Sequence, residues 1–195
     1  MYRETILENG MEIVSFSMPA MDSVCLGVWI GIGSRYENEK NNGISHFIEH
    51  LLFKGSAKRS GRKIREDIEG AGGSLNGFTG EECTCYLGKM VSDRVGLCMD
   101  VLTDMVFNPL IRAEDVEKER GVIREEISRQ KDLPMQYVHV MFDRLMWGKH
   151  PLGLDVAGSI NTINSMTRRN IVEYKKNFYK PGNIMVACAG KLDHG

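Results

Sequence analysis

The 195-residue sequence predicts an α+β fold of two layers, a β-sheet and a layer of helices. Two strand-like runs, residues 2–7 and 11–16, flank Asn9-Gly10, which is a strong signal for a two-residue hairpin turn. In the next run, residues 24–30, every second residue is apolar, as in a half-buried strand. Later segments have the 3.6-residue periodicity of amphipathic helices. A hydrophobic content of 42% is sufficient for one good core.

The remaining elements follow from their boundary signals. Asn42 is expected to cap a helix over the following residues, and Ser60 a second helix that ends at the glycine-rich residues 70–73. Two strands are predicted near residues 74–79 and 82–90, and a helix begins at Ser92 and stops at Asn108-Pro109. The order is completed by helices over residues 113–129 and 134–147, a long helix from residue 167 and a final core strand at 183–191.

His46-Phe47-Ile48-Glu49-His50 is the most informative stretch for function. In a helix, residues four apart lie one above the other, so one metal ion can meet both imidazoles, with Glu49 on the same side. Catalytic zinc needs three protein ligands and an open position for water. The H-x-x-E-H order therefore predicts two zinc ligands and a general base. The alternative is an amphipathic helix whose histidines are satisfied by hydrogen bonds.

A third ligand is predicted on the helix over residues 113–129. At about 100° per residue, Glu119 and Glu126 project into its apolar stripe, which is marked by Val116, Val122, Ile123 and Ile127. A carboxylate buried there requires a metal, a histidine or an arginine as partner. We assign Glu126 as the third ligand and Glu119 as an acceptor that orients a zinc-bound imidazole. Ion pairs with arginine or lysine are the alternative for both.

Taken together, these residues resemble the N-terminal half of a bacterial peptidase of the pitrilysin and mitochondrial processing peptidase family. The resemblance extends over nearly the whole chain. Besides the zinc motif it includes Gly33-Ser34-Arg35-Tyr36-Glu37, Gly43, Phe53-Lys54-Gly55, Gly72-Gly73, Asn76-Gly77-Phe78-Thr79, Thr84-Cys85-Tyr86, His150-Pro151-Leu152-Gly153 and Tyr179-Lys180-Pro181-Gly182-Asn183.

The resemblance implies a zinc metalloendopeptidase on a two-layer α/β sandwich, in which helices cover one face of a mostly antiparallel mixed sheet. Zn²⁺ would be bound by His46, His50 and Glu126, with Glu49 as general base for a zinc-activated water and Glu119 in support. An extended peptide would bind along residues 76–79, where Asn76 would bond the substrate backbone and Phe78 would line the site. Gly77 and Thr79 belong to the same substrate-binding segment, although the family usually has alanine in place of Gly77.

The resemblance also implies a second, similar domain that closes over the first like a clamshell. We expect residues 1–195 to form a single N-terminal zinc-binding domain, with the second domain absent from this chain. The chain would then be a truncation, a proteolytic remnant or half of a two-chain enzyme. The site would need a partner chain or a second copy, as in a homodimer, and the isolated half would hydrolyse peptides weakly.

Composition excludes other classes of function. A net charge of −1 gives no general attraction to nucleic acid. No apolar run reaches the roughly 18 residues of a membrane span, and the N-terminus lacks the apolar core of a signal peptide, so we expect a cytoplasmic protein. Two alternatives stay open. One is a noncatalytic family subunit for assembly or partner binding, and the other is an S-ribosylhomocysteinase-like lyase, in which a cysteine is the third zinc ligand.

Overall fold

A computed structural model describes residues 1–194, which contain one six-stranded sheet of strand order β1-β2-β6-β3-β5-β4. Neighbouring strands are antiparallel except β2 and β6, which are parallel. The predicted mostly antiparallel mixed sheet is therefore confirmed. The strands are β1 (Tyr2–Ile6), β2 (Glu12–Ser17), β3 (Ser23–Ile30), β4 (Ser74–Thr79), β5 (Thr84–Val91) and β6 (Ile184–Gly190).

The helices within the same residues form a layer over one face of this sheet; the first three contact the strands, and the later ones pack mainly against the first helix or one another. On β3, Val24, Leu26, Val28 and Ile30 are buried, whereas Cys25 is exposed on the other face. The helices are α1 (Ile44–Leu52), α2 (Gly61–Glu69), α3 (Val95–Phe107), α4 (Ala113–Asp132), α5 (Pro134–Trp147), α6 (Ile160–Ser165) and α7 (Arg168–Phe178). The sequence did not predict α6, although Ser159 and Thr162 form a capping box at its start.

The start of α1 differs from the prediction, because Asn42 does not cap it. The N-cap residue is Gly43, and the buried carboxylate of Glu37 accepts hydrogen bonds from the backbone N–H groups of Gly43 (2.7 Å) and Ser45 (2.8 Å). The Asn42 amide instead donates to Glu37 and to the Asp155 carbonyl. Glu37, which lies outside the helix, therefore caps its N-terminus, and Asn42 links this end of the helix to the loop before α6.

Gly43 itself is required by the packing at this point. Its φ is +91°, a conformation that favours glycine, and a Cβ there would lie 2.7 Å from the carbonyl oxygen of Ala157. The first turn of α1 and the loop before α6 therefore touch backbone to backbone.

Helix α4 packs as predicted at Val116, Ile123 and Ile127, all of which are buried. The prediction that Val122 is buried on the same stripe is wrong, since this residue is 45% exposed. The reason is that the core contacts only a narrow strip of α4.

Helix α5 has the predicted bounds but an unusual surface. In the described part of the chain, none of its residues is buried. We call its exposed large apolar residues the α5 apolar face: Met135, Val138, Met141, Phe142, Leu145, Met146 and Trp147. Monomeric proteins rarely expose a contiguous apolar surface of this kind without a partner for it.

Candidate metal centre

The structure brings His46, His50 and Glu126 together. The two imidazoles lie one turn apart on α1, with ring centroids 4.6 Å apart and planes at 76°. A carboxylate oxygen of Glu126 on α4 lies 3.8 Å from His46 Nε2 and 3.4 Å from His50 Nε2. One donor atom from each residue lies within 4.8 Å of the other two, as is needed for a common cation.

Glu126 reaches this point from a more exposed position than the sequence predicted. Its side chain is 47% exposed, not directed into the apolar core. The imidazoles of α1, not apolar core residues, face this part of α4. The prediction of an inward carboxylate was therefore wrong in its burial, although the carboxylate does lie beside both rings.

Glu119 is the buried carboxylate of the pair, with a side chain that is only 5% exposed. One oxygen lies 3.1 Å from His50 Nδ1, and the other lies 2.7 Å from Lys54 Nζ. The two alternatives for Glu119, a partner for an imidazole and an ion pair with lysine, are thus both realised. In the neutral tautomer in which His50 Nδ1–H donates a hydrogen bond to Glu119, Nε2 carries the lone pair, which is directed toward Glu126.

The two imidazoles differ sharply in proton affinity. Burial and, to a smaller extent, the neighbouring His50 lower the pKa of His46 to about 4, against an opposing effect of Glu126. Burial also opposes protonation of His50, but its hydrogen bonds to Glu119 and Glu126 outweigh it and raise the pKa to about 9. The centre therefore stabilises one positive charge between the rings and carboxylates.

The donor set fits zinc. Two imidazole nitrogens and one carboxylate oxygen are the ligands of many catalytic zinc sites, and they leave a coordination position free. The Nδ1 atom of His46 is buried and finds no hydrogen-bond partner among residues 1–194. His46 is thus oriented by packing against His50, without the acceptor that Glu119 supplies to the second ring.

Glu49 lies beside the three donors without being one of them. Its carboxylate accepts a 2.7 Å hydrogen bond from the hydroxyl of Thr79, at the end of β4. Burial raises the pKa of Glu49, and the bond from Thr79 acts against this shift. Substrate binding by Thr79 stays a prediction, and the structure adds that its hydroxyl bonds to Glu49.

A cavity of about 650 Å³ opens beside these groups. Its lining combines His46, Glu49 and Glu126 with Gly77, Phe78 and Thr79 of β4, an edge strand of the sheet. Asn76 is not part of the lining, and its side-chain oxygen accepts a hydrogen bond from the N–H of Gly77 (2.9 Å). The remaining wall comes from residues 129–136 and from Asp155, Val156 and Ala157.

A family model described as "Insulinase (Peptidase family M16)" matches residues 12–159, which is most of the chain. The chain belongs to peptidase family M16. This confirms the resemblance inferred from the motifs, since M16 is the insulinase and pitrilysin type of peptidase.

Relatives of this M16 chain carry consistent names. A protein of Streptomyces coelicolor is 41% identical over 192 residues, and YmxG of Bacillus subtilis is 36% identical over 192 residues; each is named an uncharacterized zinc protease. Both alignments cover 98% of this chain but only 42% and 47% of the relatives. The chain thus spans about half the length of the curated relatives it matches. The family binds Zn²⁺, which confirms the predicted cofactor.

Solved structures show the same M16 fold. A protease from Helicobacter pylori superposes with a TM-score of 0.95 at 22% identity, covering 99% of this chain and 47% of that one. A peptidase M16 inactive domain from Pseudomonas fluorescens gives a TM-score of 0.90 at 16% identity, with 99% and 47% covered. At these identities the likeness concerns the fold alone.

Two residues of this centre were missed by sequence reasoning. Lys54, which contacts Glu119, belongs to the Phe53-Lys54-Gly55 motif, but nothing in that motif indicates an acidic partner on α4. Arg129 lines the cavity one turn beyond Glu126, and the helical spacing could have indicated it. Concerning membranes, no helix within residues 1–194 is both long enough and apolar enough to span a bilayer.

Proposed function

We propose that the chain is the zinc-binding half of an M16 metalloendopeptidase, which cleaves extended peptides with Glu49 as general base. The observation that carries this proposal is the meeting of three donor atoms within 4.8 Å, beside the half-buried carboxylate of Glu49, which is not one of them. His46, His50 and Glu126 would hold the metal.

The roles of the side chains follow from their contacts. Bound zinc supplies Lewis acidity, which lowers the pKa of water and polarises a peptide carbonyl. Glu49, whose pKa is raised by burial, accepts a proton from the attacking water and returns it to the amine leaving group. The Thr79 hydroxyl fixes the carboxylate of Glu49 during both transfers. Glu119 fixes the ring of His50.

The substrate would bind as an added strand along β4. This strand lies at the edge of the sheet, where an extended peptide can form backbone hydrogen bonds, and Gly77, Phe78 and Thr79 line the cavity beside Glu49. The Gly77 N–H is bonded to the side chain of Asn76. We therefore infer that Asn76 turns away when a peptide binds, which frees the N–H for substrate and the Asn76 amide for a second bond.

A second unit would complete the site. The chain spans about half of its relatives, and the α5 apolar face lies on the same helix as Gln136, which lines the cavity. We propose that a second M16 domain, in the same polypeptide or in a partner chain, covers this side, with a homodimer as the simplest substitute. The isolated chain would then bind zinc but hydrolyse peptides slowly. The cytoplasmic location stays a prediction.

Two other functions compete with this proposal. A noncatalytic M16 subunit would have the same fold, as the inactive domain from Pseudomonas fluorescens illustrates, so the fold cannot decide. The retention of all three donors and of Glu49 supports an enzyme. In an S-ribosylhomocysteinase-like lyase the third donor would be a cysteine, whereas the metal-binding group within residues 1–194 contains the carboxylate of Glu126.

The test combines metal content with turnover of an internally quenched, unstructured peptide. Wild type and Glu49→Gln are each measured alone and with the C-terminal half of a close relative added. We expect one zinc per chain in both proteins, and a loss of turnover in Glu49→Gln of about 10²- to 10⁴-fold. Unchanged turnover in Glu49→Gln would refute the proposed peptidase function, and so would the absence of turnover in the complemented wild type. A sulfur neighbour of the metal in X-ray absorption would favour the lyase.

A further inference from the structure

Lys54 occupies a place in the metal centre that the proposed reaction does not explain. It lies in the turn after α1, two residues beyond the last helical residue and four residues after His50, and its Nζ is 2.7 Å from Glu119 Oε1. The other oxygen of the same carboxylate is 3.1 Å from His50 Nδ1. The side chain of Lys54 is 30% exposed, so in the series His50, Glu119 and Lys54 it is the residue nearest to solvent.

We propose that Lys54 is a positioning residue for the metal ligands, an inference that rests on the proposed zinc site. By holding Oε1 of Glu119, Lys54 turns Oε2 toward His50 Nδ1, and the ring of His50 then presents Nε2 to the metal. The terminal torsion of a glutamate side chain has only a broad preference, so one donor alone leaves the plane of the carboxylate loosely defined. Two donors on opposite sides fix its plane.

The backbone makes this arrangement rigid. The Lys54 N–H donates to the carbonyl of Leu51 in the last turn of α1, so the turn that carries Lys54 is bonded to the helix that carries His50. A cation at this end of a helix is also favoured by the helix dipole. Glu119 is therefore held at two points, by His50 of α1 and by Lys54 in the turn after it.

The contacts of Glu119 with His50 and Lys54 also affect the position of Glu126, the third proposed ligand. Glu126 lies seven residues after Glu119 on α4, which is about two helical turns, so both point from the same side of the helix. Fixing Glu119 against α1 thereby sets the position of α4 along α1, and with it the place of the Glu126 carboxylate. Lys54 would act on two ligands while touching neither.

A purely electrostatic role predicts the opposite result. Lys54 carries a positive charge near the cation site, so if charge alone mattered, removing it would strengthen zinc binding. If Lys54 positions the ligands, removing it weakens zinc binding. The sign of the change therefore separates the two accounts.

The experiment measures the zinc dissociation constant of this chain by competition with a chromophoric chelator. We expect Lys54→Met to weaken binding about 10- to 100-fold, the usual effect of losing a group that orients a metal ligand. Lys54→Arg, which keeps a charged donor, should restore most of the affinity. Lys58→Met is the matched control, because Lys58 pairs with Asp100 on the exposed surface. It should leave the affinity unchanged.

A double-mutant cycle and a spectroscopic measurement complete the test. In a Glu119→Gln background Lys54→Met should cause no further loss, and in zinc-loaded Lys54→Met the His50 Nδ1–H proton should exchange faster with solvent. Equal or tighter zinc binding by Lys54→Met, or full additivity with Glu119→Gln, overturns the positioning role and leaves the zinc site intact. A wild type that binds no zinc overturns both proposals. Should Lys54→Met not fold, Lys54→Gln takes its place in every comparison.

Discussion

Replacing Glu37 with alanine would remove the side chain that closes the helix on which the zinc motif lies. The carboxylate of Glu37 is buried and accepts hydrogen bonds from the backbone N–H groups of Gly43 and Ser45 and from the amide of Asn42. Alanine has no acceptor, and the site is too enclosed for water to replace both oxygens freely. The first turn of α1 would therefore lose its cap.

The expected cost follows from these contacts. Each buried N–H left without a partner costs about 1–2 kcal/mol, and the amide of Asn42 adds roughly 1 kcal/mol. Burial raises the pKa of Glu37, which means that the buried carboxylate itself carries a penalty that alanine would relieve. We therefore estimate a net loss of about 3 kcal/mol in the free energy of unfolding. For a chain of this size that corresponds to roughly 6–12 °C in Tm.

The assay is urea and thermal unfolding followed by circular dichroism at neutral pH, with Glu39→Ala as the control. Glu39 is exposed two residues away, so its replacement should have almost no effect. Zinc affinity provides a second readout, because His46 lies in the first turn of α1 and should be held less firmly when that turn frays. A loss below about 1 kcal/mol for Glu37→Ala would refute the capping role.

Three further predictions concern single side chains. Thr79→Val should lower kcat of the complemented enzyme about tenfold with zinc retained, because Glu49 loses one hydrogen bond, and Thr79→Ser should recover it; equal kcat for Val would contradict this. Gly121→Ala should raise the free energy of unfolding by about 0.5–1 kcal/mol in urea titrations, since a Cβ would meet no described atom within 4 Å; destabilisation would reveal an unseen contact. Burial lowers the pKa of Lys175 from 10.5 to about 8. Between these two pH values the unfolded chain binds more protons than the folded one. The free energy of unfolding of the wild type should therefore rise with pH across this window relative to that of Lys175→Met. Parallel pH profiles for the two proteins would exclude the shift, and Lys176→Met, at an exposed position, is the control.

Local signals in the sequence predicted most elements of the fold. Asn9-Gly10 lies in the turn that joins β1 to β2, and Ser60 caps α2 by accepting a bond from the N–H of Lys63, because both signals act within a few residues. The predicted two-residue turn is wrong in length, since the Leu7 N–H donates to the Met11 carbonyl and the loop between this pair is residues 8–10. The cap of α1 could not be predicted in this way. Its acceptor, Glu37, lies six residues before Gly43, and only the folded loop brings it back to the helix.

The candidate metal centre was predictable to the same degree. Helical spacing was enough to stack His46 and His50, and the angular position of Glu126 placed its carboxylate on the correct side of α4. The exposure of Glu126 was not predictable, because it depends on how α1 and α4 pack. The same holds for the contacts of Thr79 and Lys54, each of which joins two elements that are distant in the sequence.

The division of the metal ligands between two helices has a consequence for stability. Helix α1 alone offers a cation two imidazoles, and the carboxylate comes from α4, which α2, β4, β5 and α3 separate from α1 in the sequence, so the three donors meet only when the two helices pack. An ion that needs all three donors binds the native state and not the unfolded one, so its binding free energy adds to native stability alone. Removal of the metal by a chelator should therefore lower the free energy of unfolding of the packed domain.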